Sequence, residues 1–378
     1  FSPANCSITR ICGCYVDGDK NKKTELKEAF LSLSEEEMFK YFEIFKKTLS
    51  GTLGKNLLNM EFPTNQEADG GTQEFLMRLR ASRLTDDELI QQFYDRIIEN
   101  YDYPENYYII LVHAVYDIPG KSSDGLDMFD ASDEIYEHLL CSICPVKLSK
   151  AGLCYNAETN LIEDRIRDWI VEMPESGFLF PVFNDRSTDI HGLLYYSKNA
   201  EALHDLFIDQ VLGCTAPMSA GGQRDSFNML VEETLGDDCD YNTVISIHEK
   251  LNELIEAQKD EPEPVVLTKP EVKRLLEDCG VAEEKLDTFD QQYELVAGDQ
   301  PSLMASNIAS PRKFEVKTPD VVVKIDPERA ELIETKVIDG RKCLVIPMEG
   351  EIEVNGICVH MGNLSEDTEY PDNEVDDE

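Results

Sequence analysis

His138, Cys141, Cys144 and Cys154 fall in one short stretch and are the side-chain types that hold a tetrahedral zinc ion. Cys141-Ser-Ile-Cys144 has the two-residue gap that lets two thiolates reach one metal, and Cys154 or His138 would add a ligand. A full structural site carries a second such pair, and none follows. On a strand the two cysteines would also point to opposite faces unless the chain turns at Pro145. Buried core thiols are therefore the simpler reading, no metal is assigned, and zinc or thiol chemistry at Cys141 and Cys144 is the alternative. Cys12-Gly13-Cys14 differs, because residues two apart on a strand share a face; both read as small buried residues.

Arg78, Arg80 and Arg83 stand out against the overall charge as anion- or nucleic-acid-binding candidates, with Lys20, Lys22 and Lys23 as a second basic island. On a helix, Arg80 and Arg83 would share a face, and pairing with the abundant carboxylates is the competing account. Ser50-Gly-Thr-Leu-Gly-Lys55 looks like a phosphate loop, but its spacing is short and Asn56 replaces the hydroxyl residue. A helix stop explains it better. Carboxylate pairs carry no specificity in a chain with 76 Asp and Glu. The six histidines show no metalloprotease spacing, His113 reads as a core residue, and no Gly-x-Ser-x-Gly elbow is present.

These residues need elements to place them. Ile8–Val16 is predicted as a strand closed by Asp17-Gly18. The spacing of Leu26, Ala29, Phe30 and Leu33 predicts a helix, and Ser34 with Glu37 reads as a capping box opening the next one, with Met38, Phe42, Phe45 and Leu49 as its apolar stripe. Thr85 with Glu88 opens a further helix. Tyr107–Tyr116 and Ile135–Val146 read as strands, 161–170 as an amphipathic helix, and Phe178–Phe183 with Gly192–Tyr196 as a hairpin. Helices also fit Ala202–Val211 and Thr243–Ala257. Lys259–Val265 is linker-like, Thr268 with Glu271 caps a short helix, and 286–293 is amphipathic. From 314 on the period is two, with Asp339-Gly340 and Asn355-Gly356 as hairpin turns.

The expected class is α+β: a mixed main domain over 1–258, a linker and helical segment over 259–313, a small β-rich hairpin module over 314–360, and a disordered acidic tail over 361–378. At 378 residues the chain is long enough to bury a sizeable core. Its formal net charge of −41 argues against a broad basic groove for nucleic acid. Eleven cysteines, an odd number, fit a reducing cytoplasm, and no apolar run is long enough for a membrane span. The start at Phe1, just before a strand, suggests a chain that begins further upstream.

The segments CSITRICGCYV, FKKTLSGTLGKNLLNMEFPT, YYIILVHAVYDIPG, LLCSICPVKLSKAGLCYN and IETKVIDG resemble the bacterial family called domain of unknown function 4317. That resemblance implies no activity, cofactor or catalytic residue. Phe314–Lys317 with Val321–Ile325 is similar in arrangement to the C-terminal part of the nucleoid-associated protein family. The functional expectation is a non-enzymatic interaction protein that binds a protein or nucleoprotein assembly, by local basic islands or by its negative surface. A metal- or thiol-dependent enzyme at Cys141 and Cys144 is the alternative.

Overall fold

The computed structural model describes residues 7–118, 120–121, 127–128, 134–184, 187–261, 263–297, 302–310, 314–347, 352–354 and 357–359. The chain divides into two compact units, Phe1–Ala309 and Ser310–Glu378, and mixes helices with antiparallel sheets as an α+β protein.

The first unit opens with β1 (Ser7–Val16) and β2 (Lys22–Ala29), joined by a turn in which the Asp17 carboxylate accepts from the backbone N–H groups of Asp19 and Asn21. The expected helix around Leu26–Leu33 is instead this strand followed by one 3-10 turn, Phe30–Ser32. Leu26 lies opposite Gly13 and Glu28 opposite Ile11, so pairing with β1 overrides the helix preference of the Lys and Glu residues. Helix α1 (Glu35–Thr48) starts at the expected capping box, with Ser34 N–H donating to Glu37 at 3.0 Å and Glu37 N–H to Ser34 Oγ at 3.3 Å.

Next come β3 (Leu57–Glu61), α2 (Thr72–Ala81) and α3 (Asp87–Asn100). The cap of α3 is Asp86 rather than Thr85, its carboxylate accepting from the N–H groups of Glu88 and Leu89. Strand β4 (Tyr107–Ile118) leads through the short pair β5 (Gly120–Lys121) and β6 (Asp127–Met128) to the long β7 (Glu134–Leu148).

The helix expected over 161–170 does not form. Residues β8 (Leu153–Asn156) and β9 (Leu161–Asp164) make a two-stranded arm, and β10 (Trp169–Val171) returns to pair with the end of β7. Helical spacing of Leu161, Ile162, Ile166 and Trp169 stabilises nothing here, since all four are solvent-exposed. Strands β11 (Ser176–Phe180), β12 (Val182–Asn184), β13 (Ser187–Asp189) and β14 (Gly192–Ser197) follow. Over Ala202–Val211 the chain forms a π-helical segment at Phe207–Leu212, stopped by Gly213 at φ +68°.

The main sheet runs β2-β1-β4-β7-β11-β14-β3, with β10 beside the end of β7. Its pairs are antiparallel, and alternate side chains feed two cores. On one face Cys12, Leu111, Cys141 and Phe178 pack with Leu76, Phe93 and Phe207 from α2, α3 and the π-helical segment. On the other face Ile11, Ile110, Leu140 and Cys144 meet Phe30 and the α1 residues Phe42 and Phe45.

A third core joins α4 (Ala220–Leu235), α5 (Tyr241–Ala257), β15 (Val266–Thr268), α6 (Lys269–Asp278), α7 (Glu283–Leu286), α8 (Phe289–Ala297), β16 (Ser302–Met304) and α9 (Ala305–Ile308). Asn307 ties this layer to the loop before β3, its Nδ2 donating to the Gly54 carbonyl at 3.0 Å.

In the second unit, β17 (Phe314–Lys317) pairs with β18 (Val322–Ile325), β19 (Glu334–Ile338) with β20 (Arg341–Val345), and β21 (Ile352–Val354) with β22 (Ile357–Val359). Asp339 and Gly340 have φ of +50° and +74°, the mirror-image turn that the dipeptide predicts. Asn355-Gly356 and the acidic tail over 361–378 lie outside the described residues.

Candidate functional site

Helix α1 covers only part of its sheet face. Where β1, β2, β4 and β7 run beyond it, a groove of about 610 Å³ opens, floored by Leu26, Tyr108 and Val146 and walled by α1 on one side and β10 on the other. Gly13 makes the floor possible. A Cβ there would lie 2.0 Å from Tyr108 Oη, so only glycine lets this ring cross β1.

Four aromatic side chains, Tyr15, Tyr41, Tyr108 and Trp169, line the groove. Three are held in place from behind. Tyr41 stacks on Phe45 and its hydroxyl lies 3.4 Å from that of Tyr108, while Asn106 Nδ2 donates to Tyr15 Oη at 2.7 Å. Burial pushes the Tyr41 and Tyr108 hydroxyls up, so both stay neutral.

Glu28 and Glu37 line the same groove; Glu25 borders it from the edge strand, but lies opposite Cys14 and turns its carboxylate to Gln91 of α3 on the other face of the sheet. Their hydrogen bonds come from neutral donors: Gln91 Nε2 to Glu25 at 2.5 Å, Ser32 Oγ to Glu28 at 3.3 Å, and Ser34 to Glu37. The Ser34 hydroxyl and backbone N–H hold the Glu37 carboxyl below its usual range, so it remains ionised. Among the described residues none of the three carboxylates is in an ion pair, whereas nearby Lys22, Lys23 and Lys27 are bound to Asp95, Asp17 and Asp87.

The cysteine and histidine candidates are dispersed. Cys141 belongs to the core under α2 and α3, and Cys144 to the core under α1, on opposite faces of the sheet. Burial raises both thiols far above their ordinary value, which disfavours the thiolate that metal binding or exchange needs. Cys154 lies on the β8–β9 arm, and His138 stacks on Tyr136 with ring centroids 4.4 Å apart. Among the described residues no three His, Cys, Asp or Glu side chains gather as a metal-binding group. Cys12 and Cys14 share one buried face as their spacing predicts, and His113 is a core residue bonded to Thr9 Oγ1 at 2.9 Å.

Two of the three arginine candidates are ion-paired within the protein. Arg78 Nε pairs with Glu74 at 2.7 Å, and Arg83 Nη2 pairs with Glu137 at 2.7 Å. Arg80 lies within electrostatic reach of His113 and Tyr136. Arg83 does not share a helix face with Arg80, because α2 ends at Ala81 and Arg83 turns away at φ +51°. Lys20 donates to the Glu99 carbonyl at 3.3 Å. The glycine loop is a packing device, since Gly54, at φ +75°, lies directly beneath Met304 of the helical layer.

The groove was not legible from the sequence as a site. Its one local signal is a glycine inside an apolar strand, which marks a close approach; nothing local says that Tyr108, from a distant strand, is what approaches.

A family model described as domain of unknown function (DUF4317) matches residues 1–357. No curated protein matches the chain. The likeness to the nucleoid-associated family gains no support from these comparisons.

Proposed function

Because the chain belongs to that family of unknown function, we propose a role for it from its surface: it is a non-enzymatic binding protein whose β8–β9 arm and adjoining groove dock a basic, apolar segment of a partner protein. One observation carries this reading. In the arm, Tyr155 pairs with Ile162 and shares a strand face with Leu153, so these three side chains cluster on one face, with Asp164 beside Leu153 at its end. Their exposures are 60%, 65% and 76%, while Cys154 and Glu163, on the opposite face, are partly covered. The arm thus turns its greasy side to solvent, and an exposed apolar cluster of this kind marks a contact surface.

Trp169 and Val171 continue the exposed apolar surface from the arm to the groove. The groove carboxylates and the net charge of −41 favour a basic partner and speed its encounter at low salt.

The test is affinity capture after nuclease treatment with the full chain and with Tyr155→Ser/Ile162→Ser. A basic partner captured by the first and lost from the second is the expected result. Equal capture by both overturns the reading. A dimer of the unaltered chain that the double variant dissolves, read by sedimentation, overturns it in favour of self-association.

A further inference from the structure

We infer that the groove between α1 and β10 is a receptor for an arginine side chain presented on an extended segment. This deepens the binding role above by naming the residue recognised, and rests on that role only for the source of the arginine.

A guanidinium combines a flat face that stacks on aromatic rings with an edge of N–H donors that matches carboxylates. The groove offers both complements together. Tyr41, Tyr108 and Trp169 supply aromatic surface, with Tyr41 fixed from behind by Phe30 and Phe45. Glu28 and Glu37 supply acceptors; among the described residues neither is in an ion pair, and Lys40 acts on Glu37 only through space. Elsewhere the protein does satisfy such groups: Glu74, Glu137 and Glu201 each hold an arginine at 2.7 Å. It also uses the stacking half of the same recognition internally, where the Arg96 guanidinium carbon sits 4.0 Å from the centre of the Phe75 ring.

The arrangement favours arginine over two simpler occupants. A purely apolar side chain would desolvate the rim of carboxylates without pairing them. An anion would meet only negative charge. The volume, about 610 Å³, lies in the range of small-ligand sites and leaves room for apolar neighbours along Leu26, Val146 and Val171. Because the tyrosines are already held, little ordering accompanies binding.

Trp169 is the only tryptophan in the chain, so its emission reports on the groove directly. The full chain is titrated with acetyl-Val-Arg-Val-amide and with the same peptide carrying citrulline, which keeps the shape of arginine and removes its charge. A saturable change with the arginine peptide, at least about tenfold tighter than with citrulline, is expected. In Glu28→Gln/Glu37→Gln the two peptides are expected to bind alike. Glu28 lies on an edge strand and glutamine at 37 keeps the capping box, so an unchanged thermal midpoint verifies the fold; if the pair misfolds, the Glu28→Gln single variant serves. Equal affinity for arginine and citrulline peptides in the unaltered chain overturns the inference, as does no saturable response up to about 10 mM, the range of the weakest specific contacts. The arm variant Tyr155→Ser/Ile162→Ser is expected to retain the arginine response. Peptide binding with a partner indifferent to the arm would sink the docking role and leave this site standing, and the reverse result would do the opposite.

Discussion

His138 lies in β7 with its ring on Tyr136, nearly all of it inside the protein. Burial lowers its pKa to about 4 from an ordinary 6.5, with the backbone of Tyr136 pulling weakly the other way. The folded state therefore binds fewer protons than the unfolded chain between those two values. Stability is complete above pH 6.5, falls as pH drops toward 4, and is flat below that with respect to this residue. A shift of that size corresponds to roughly 3 kcal/mol, and His113, also lowered by burial, acts in the same direction. Urea midpoints measured from pH 7 to pH 4 are expected to fall through this window, and more shallowly in His138→Leu; parallel curves would refute the assignment. The same burial accounts for the thiols. Cys12 and Cys14 are pushed up to about 11 and 12, so they act as small apolar residues at neutral pH.

Elements show where local pattern suffices and where it fails. The capping boxes at Ser34 and Thr268, the long strands β4 and β7 and the Asp339-Gly340 turn were legible, because each depends on contacts within a few residues or on an unbroken apolar run. Strand β2 was not, since its polar residues prefer a helix and only β1 makes them a strand. The arm misled for a different reason: periodicity registers apolar residues but not whether anything covers them. Helix α4 escaped because Gly221, Gly222 and the polar residues around them weaken any stripe. Tertiary fit also explains Gly54. A Cβ there would fall 1.8 Å from Met304 Sδ, at a φ of +75° that L residues rarely adopt. Gly54→Ala is expected to cost about 1–3 kcal/mol, and hydrogen exchange should quicken in 302–308 more than in the main sheet. Gly54→Asn should lose less, since asparagine tolerates this backbone conformation. A uniform loss across the unit would place the effect elsewhere.

At the scale of the molecule, all three apolar clusters end by Ala309, the last residue of the first unit. Among the described residues, the second unit is made of strand pairs and a 3-10 segment, Pro327–Leu332, with mostly exposed side chains; Val337, for example, is 70% exposed, and Ala330 and Ile333 are among the few buried apolar residues there. Hydrophobic stabilisation scales with apolar area removed from water, so the first unit carries most of it. The groove, the arm and Trp169 also lie wholly within that unit. A chain ending at Ala309 should therefore unfold cooperatively with a thermal midpoint within about 4 °C of the full chain, the shift that ~1 kcal/mol produces at this size. Its Trp169 response to the arginine peptide should be unchanged. A much larger drop would mean that the hairpins after Ser310 stabilise the first unit directly. An unchanged midpoint with a lost peptide response would instead assign them a part in recognition. Calorimetry and the fluorescence titration on the same preparation separate these outcomes.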